Sequence, residues 1–291
     1  MSKGRHAYLI LAHGHWHELQ NLISALDYPR NDIYLHLDKK WKDVDTRQLM
    51  AAAKQAHIVL TDRLRLAWGG YSIIQAEMLL FEAAVNDGPH DYYHLMSGLD
   101  LPVKSQAYIY KFFEDHAGEN FFTPVDYEGT SRYRMRFEQY HFLQDSLIGR
   151  KRNLWKYLEF AFCYLQRAVG IRRFKDREVH AAWEWASITQ ELAEYLVCRK
   201  QKILKDWKFT YCCDELFIPT EITGTKFEGT LSSLGSLRFI EWEWQARRDH
   251  APKALTLDDK EKLDDPKVLF ARKFVSPQSD QLINELIREV K

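Results

Sequence analysis

Two adjacent carboxylates, Asp214 and Glu215, follow the aromatic segment 207–211 and precede the apolar run Leu216-Phe217-Ile218. A carboxylate held in a cleft can take the proton from an attacking hydroxyl. The plainer fate of such a pair is one acid paired with a helix and the other in water. A second cluster is His13-Gly-His15-Trp-His17, where alternating imidazoles on extended chain share a face and could bind zinc. A helix beginning near His17 would break that alternation. A third candidate is Asp43-Val-Asp45, the D-x-D spacing with which carboxylates hold a divalent ion against a diphosphate. It lies in a charged stretch with no apolar run immediately before it, so it reads as a loop or helix start. The glycines of Trp68-Gly69-Gly70 form neither G-x-G-x-x-G nor a P-loop, which removes the simplest dinucleotide and ATP readings.

These residues need elements to position them. The short apolar run 7–12 ends at His13 in the manner of a buried parallel strand. A helix over 18–26 follows, with Leu19, Leu22, Ile23 and Leu26 at helical spacing, and then a strand over 33–37 ending at Asp38. A helix over 46–55, a strand over 57–60, a helix over 72–86 and a strand over 92–96 continue the alternation. That pattern predicts an α/β fold with a central, mainly parallel sheet flanked by helices. Ligands then bind beyond the carboxyl ends of the strands, where His13, Asp38, Trp68 and Asp100 fall. Residues 121–124 read as a further strand, and Arg132, Arg134 and Arg136 follow in a polar segment.

The chain has 291 residues, 46% hydrophobic and 14% aromatic, with 41 Lys+Arg against 41 Asp+Glu. The composition suits a large packed core and excludes a disordered protein. Zero formal net charge argues against nucleic acid as a partner. No apolar run reaches the ~20 residues of a membrane-spanning helix, and the start lacks a signal-peptide core. The expected location is therefore cytoplasmic. Four cysteines, at 163, 198, 212 and 213, form no disulfide framework and read as reduced thiols. Residues 150–175 interleave basic and aromatic side chains around a single acid, Glu159, a pattern that suits a helix on an anionic membrane surface or a packed helix with a solvated rim. No linker or repeat divides the chain, so 1–291 reads as one domain, with a nucleotide-binding half over about 1–125 and an acceptor half over about 126–291.

The stretch Tyr92-Tyr-His-Leu-Met-Ser-Gly-Leu-Asp-Leu-Pro-Val-Lys-Ser105 resembles the strand-and-loop signature of the Core-2/I-branching β-1,6-N-acetylglucosaminyltransferase family, which also contains the peptide O-xylosyltransferases. The resemblance continues in order through 7–13, His36-Leu-Asp38-Lys39, Trp68-Gly69-Gly70 before Gln75-Ala76, Asp214-Glu215, Arg238-Phe-Ile-Glu-Trp242 and Leu269-Phe-Ala-Arg-Lys-Phe274. It implies a GT-A-type fold and an inverting transfer from a UDP-sugar, such as UDP-N-acetylglucosamine, to a glycan or lipid-linked acceptor, with no divalent metal or other cofactor. Carried over position by position, Glu215 matches the catalytic base. Lys273 matches a diphosphate-binding cation, and Lys253, within His250-Ala-Pro-Lys253, matches a second. His13 and Asp38 correspond to uridine-contacting positions and Trp68 to a nucleobase-packing one. Asp100, Asp214, Glu241, Trp242 and Arg134 are the candidates for the acceptor side.

Taken singly, each has a plainer reading: Lys273 as a surface lysine, Trp68 as core, Asp38 as a turn cap. Their joint order carries the functional one. The short start and scattered cysteines resemble a compact bacterial member that works on polysaccharide or glycolipid precursors, in peripheral contact with the inner membrane face through 150–175. The donor could equally be xylose or another UDP-sugar. Outside the family, the rivals are a zinc hydrolase using His13, His15 and His17, and a carbohydrate-binding protein without turnover.

Overall fold

Every residue of the first strand, β1 (His6–Ala12), is buried, as an apolar strand covered on both faces must be. The computed structural model describes residues 4–126, 131–151, 153–242 and 252–290, with the backbone alone at 131 and 132. After β1 come α1 (Trp16–Ala25), β2 (Asn31–Leu37), α2 (Thr46–Met50), β3 (His57–Leu60), α3 (Ser72–Asp87), β4 (Tyr92–Ser97), β5 (Asp100–Pro102) and α4 (Gln106–Asp115). The rest comprises β6 (Pro124–Val125), α5 (Ser131–Glu138), α6 (Leu154–Ala168), β7 (Ala181–Ala182), β8 (Ser187–Thr189), α7 (Gln190–Cys198), α8 (Lys200–Trp207) and α9 (Phe217–Ile222). It ends with β9 (Arg238–Ile240), α10 (Lys260–Leu263), β10 (Phe270–Arg272) and α11 (Asp280–Val290).

The main sheet runs β3-β2-β1-β4-β8. Its first three pairings are parallel, and β8 joins β4 antiparallel. The expected α/β fold with a mainly parallel sheet is therefore the observed one. Alternation along β1 divides the core. Tyr8, Ile10 and Ala12 pack with Leu19, Leu22 and Ile23 of α1 and Leu282 and Leu286 of α11. Ala7, Leu9 and Leu11 face the other way, toward Ile74 and Phe81 of α3 and Leu192 of α7. Each buried aliphatic side chain of this kind contributes about 1.5–3 kcal/mol. A smaller sheet, β5-β10-β9, carries the segment that leads to Lys273.

Two boundaries differ from expectation for local reasons. The helix expected over 46–55 ends at Met50, because the Asp27 carboxylate accepts the N–H groups of Lys54, Gln55 and Ala56 and draws the chain out of helical register. The strand expected over 121–124 is a single bridge from Phe121 to Ser187, and a two-residue ladder begins only at Pro124.

Candidate active site

The parallel register brings three loops to one rim. Asp38 N–H donates to the Ala12 carbonyl (2.9 Å), and Gly98 N–H donates to that of Leu11 (2.9 Å). His13, Asp38 and Gly98 thus stand side by side beyond the carboxyl ends of β1, β2 and β4. Gly14 and His15 both have left-handed backbone (φ 79° and 59°), a sharp turn that glycine tolerates freely and that starts α1 directly under the rim.

Asp38 is buried and organises its neighbours. Its carboxylate accepts Lys40 N–H (2.9 Å) and Leu66 N–H (3.4 Å), and Lys40 Nζ lies at 3.3 Å. It thereby holds the strand of chain that leads to Trp68. The indole of Trp68 is 49% exposed and meets Tyr211 edge-on at 6.1 Å, so it is a surface ring and not a core one. Lys273 reaches the same rim from β10. The next residue, Phe274, donates its N–H to the Leu99 carbonyl (3.0 Å), and Ser276 N–H donates to Glu18 of α1 (2.8 Å). The pKa of His13 is lowered by loss of surrounding water, then by His15, with Asp38 opposing and Lys40 and Lys273 adding to the fall. His13, Asp38 and Lys273 therefore share one electrostatic environment.

Burial, then Arg150, then Arg272 push the Lys273 ammonium below its usual pKa. Arg150 was legible only as part of the basic segment 150–175, and its charge is felt at Lys273. A π-helical turn, Gln144–Ile148, is fastened to the Trp68 loop just before it. Gln144 Nε2 donates to the Trp68 carbonyl (2.6 Å) and the Gly149 carbonyl (3.0 Å). The Asp145 carboxylate accepts the N–H groups of Tyr71 and Ser72 (3.0 Å each), capping the start of α3. The approach is so close that a Cβ on Gly70 would lie 2.3 Å from Asp145 Oδ1. Lys253 is placed differently: its Nζ lies 3.4 Å from Asp259 and 3.7 Å from Glu241, in a network completed by Lys262. Glu241 is thus committed to lysines. His250, the start of the motif containing Lys253, lies outside the described residues.

Away from this rim, Glu215 closes a 3₁₀ turn, Cys213–Glu215. Arg136 of α5 donates through Nη2 to Glu215 Oε2 (2.5 Å) and to the Cys212 carbonyl (3.1 Å). One carboxylate oxygen is thereby fixed. Burial and the charge of Glu215 raise the Asp214 pKa to about 7, against the pull of Arg136. Arg136, not Arg134, is the arginine at this carboxylate. Arg134 pairs with Glu138 one turn along the same helix (Nε–Oε1 3.0 Å) and lines a separate groove.

Two more acids join the group, and neither was singled out from sequence. Glu184 stands between Trp183 and Trp185, and burial followed by Asp214 pushes its carboxyl well above the usual range, with Arg272 opposing and Glu215 and Asp100 adding. Glu77 of α3 is fully buried with neither carboxyl oxygen hydrogen-bonded, and burial, then Glu184 and Asp214, push its pKa well above the usual carboxyl range. An acid inside Ala181-Ala-Trp-Glu-Trp-Ala186 was a visible anomaly that could have marked Glu184. Trp242 meets Trp183 edge-on at 6.3 Å, which walls the Glu184 side. Asp100 is 2% exposed; its Oδ2 accepts Ser97 N–H (3.0 Å) and its Oδ1 faces Arg272 at 3.5 Å. It holds the turn and Arg272, and is too buried to meet an acceptor directly. Arg272 packs over Trp185 at 4.2 Å and so connects the cationic end to the carboxylates.

The histidine cluster does not close into a ligand set. The rings of His13 and His15 meet edge-on at 6.5 Å, and among the described residues no three His, Cys, Asp or Glu side chains are placed to hold a metal ion. The cysteines are free thiols, with 163, 212 and 213 buried.

The family model for the Core-2/I-branching enzyme matches residues 6–264. The curated relatives include xylosyltransferase 1 of Canis lupus familiaris and of Homo sapiens, each 21% identical over 248 residues, spanning 82% of this chain and 24% of theirs. The chain thus spans about a quarter of the length of the curated relatives it matches. The solved apo structure of mouse xyloside xylosyltransferase 1 aligns over 91% of this chain and 96% of its own at 9% identity. Its TM-score of 0.35 is too slight a likeness to argue from.

Proposed function

The chain belongs to the Core-2/I-branching enzyme family, and from that premise we propose that it is a glycosyltransferase that moves a sugar from a UDP-sugar to a hydroxyl of a glycan or lipid-linked saccharide, with inversion and without a divalent metal, on a GT-A-type fold. The observation that supports this reading is the separation of charge across the carboxyl ends of the strands, with Arg272 between the two groups. Glu215, clamped by Arg136, stands at one end, and Lys273 with Arg150 at the other.

The chemistry follows from those positions. The acceptor O–H gives its proton to Glu215 as its oxygen bonds to the anomeric carbon. The bond from that carbon to the diphosphate breaks on the opposite face, and its electron pair leaves with UDP. Lys273 and Arg150 neutralise the charge that develops there. Arg136 is a positioning residue, because it holds the base in one orientation. Asp214 shares the negative charge of the pair, and Glu184 with Trp242 lines the acceptor side. His13 and Asp38 receive the uridine, with Trp68 as its stacking surface.

N-acetylglucosamine is the first donor in this reading. Xylose is the second, favoured by the curated relatives. UDP release should be measured on a panel containing both sugars in the presence of EDTA. Glu215→Gln should lose about 10²- to 10⁴-fold in turnover while still binding UDP, and Lys273→Ala should weaken UDP binding itself. Turnover that EDTA abolishes, or that survives intact in Glu215→Gln, would overturn the mechanism.

A further inference from the structure

Helix α6 is built with its polar stripe inward. The residues it buries are Glu159, Cys163 and Gln166, spaced along one face. The burial is chemically satisfied. The Glu159 carboxylate accepts Leu143 N–H (3.1 and 3.2 Å), and Gln166 both accepts Tyr140 N–H (2.8 Å) and donates to the Tyr140 carbonyl (2.9 Å). About 100° around the helix from that stripe, an apolar row faces outward: Leu154, Leu158, Phe162 and Leu165, continued by Val169, with Trp155 beside it. Leu154 is 69% exposed and Val169 65%. Such a continuous apolar face on the outside of a protein marks a surface that something else covers.

Charge selects the occupant. Glu159 is the one acid in the helix and points inward, so the charges on its outer surface are the cations Lys156 and Arg167, across the exposed Tyr157 and Tyr164 from the apolar row. Lys151, Lys156 and Arg167 have no ion-pair partner among the described residues. A second copy of the chain on a two-fold axis would set this cationic rim against itself. A bilayer with anionic headgroups complements both the rim and the stripe, and the tryptophan and tyrosines suit the headgroup level. No helix among the described residues is long and apolar enough to cross a membrane, so the contact is one of lying on the surface.

We propose that the outer face of α6 docks this protein on an anionic lipid surface, with Tyr157 and Tyr164 toward the bilayer, the row Leu154–Leu158–Phe162–Leu165 entering it on one flank, and Lys156 and Arg167, with Lys151 ahead of the helix, meeting headgroups on the other. The inference deepens the lipid-linked acceptor reading. The segment leading into α6 is the one fastened to the Trp68 loop through Gln144 and Asp145. Docking therefore holds the cleft beside the surface from which such an acceptor is presented.

The full chain should be floated with vesicles of phosphatidylcholine alone and with vesicles of equal parts phosphatidylcholine and phosphatidylglycerol. It should rise with the anionic vesicles and stay behind with the neutral ones. Salt should release it, since screening shortens the reach of the basic rim. Lys156→Glu and Arg167→Glu should each weaken partitioning at least roughly five-fold. The exposed pair Leu158→Glu/Phe162→Glu should keep the parent far-ultraviolet circular dichroism and abolish flotation. Equal recovery in the supernatant from both vesicles, or a Leu158→Glu/Phe162→Glu protein that floats like the parent, would sink the proposal. So would a dimer in sedimentation velocity that this double variant dissolves, because the face would then belong to a second copy. No sugar donor enters the assay, so its failure leaves the transferase reading standing.

Discussion

At the scale of single residues, the pair Asp214-Glu215 is the most informative. Burial and the neighbouring Glu215 charge disfavour the ionised form of Asp214. With Asp214 pushed up to about 7, Glu215 works beside a neutral neighbour in acid and beside a second anion above neutrality. The pH profile of kcat/KM should therefore carry an inflection near 7. Asp214→Asn should remove that inflection and lower the rate on its alkaline side several-fold, roughly the effect of losing one neighbouring charge. A profile that keeps its step at neutrality in Asp214→Asn would place the titration elsewhere. Glu215 and Asp214 stood out in the sequence because two acids precede an apolar run. Arg136 did not, since its contact with Glu215 spans 79 positions and three alternate arginines of one short segment looked alike. Only the turn of α5 separates Arg136, on Glu215, from Arg134, on Glu138.

At the scale of elements, the strands did what their patterns foretold. Runs such as 7–12 and 33–37 are apolar throughout because they are covered on both faces, and their ends carry His13 and Asp38 to one rim. The cationic end was harder to read. Lys253 fits a family position, yet its ammonium meets Asp259 and Glu241, whereas Arg150 reaches Lys273 through a turn whose fastening depends on tertiary contacts alone. That fastening is testable. Asp145 caps α3 from 73 and 74 positions away, so Asp145→Ala should cost about 1 kcal/mol of stability, the usual value of a lost cap. It should also loosen the approach of Arg150 and weaken UDP binding in the direction of Arg150→Ala, for which roughly ten-fold is expected from one charge-assisted contact. Denaturant titration and calorimetry with UDP would measure both. An Asp145→Ala protein that is destabilised yet binds UDP like the parent would separate the cap from the site.

At the scale of the whole molecule, buried titratable groups set how stability depends on pH. Glu77 and Glu184 have folded-state pKa values raised by burial, so above the unfolded carboxyl value the folded state keeps protons that the unfolded state releases. Their contribution is complete below about pH 4.5 and falls as pH rises toward the folded values. His6 and His94 behave oppositely. Burial lowers their pKa, so the stability they carry is complete above about 6.5 and is lost as pH falls through and below that value. Between roughly 4.5 and 6.5 the two trends offset each other. Above neutrality the carboxyl trend remains, at most ~1.4 kcal/mol per pH unit for each proton retained, and the buried Tyr8, Cys163, Cys212 and Cys213 add to it at higher pH. Glu77→Gln keeps the shape of the side chain and removes its titration. The melting temperature of Glu77→Gln should match the parent near pH 5 and exceed it above neutrality, and an unchanged alkaline slope would show that Glu77 does not hold its proton in the folded core.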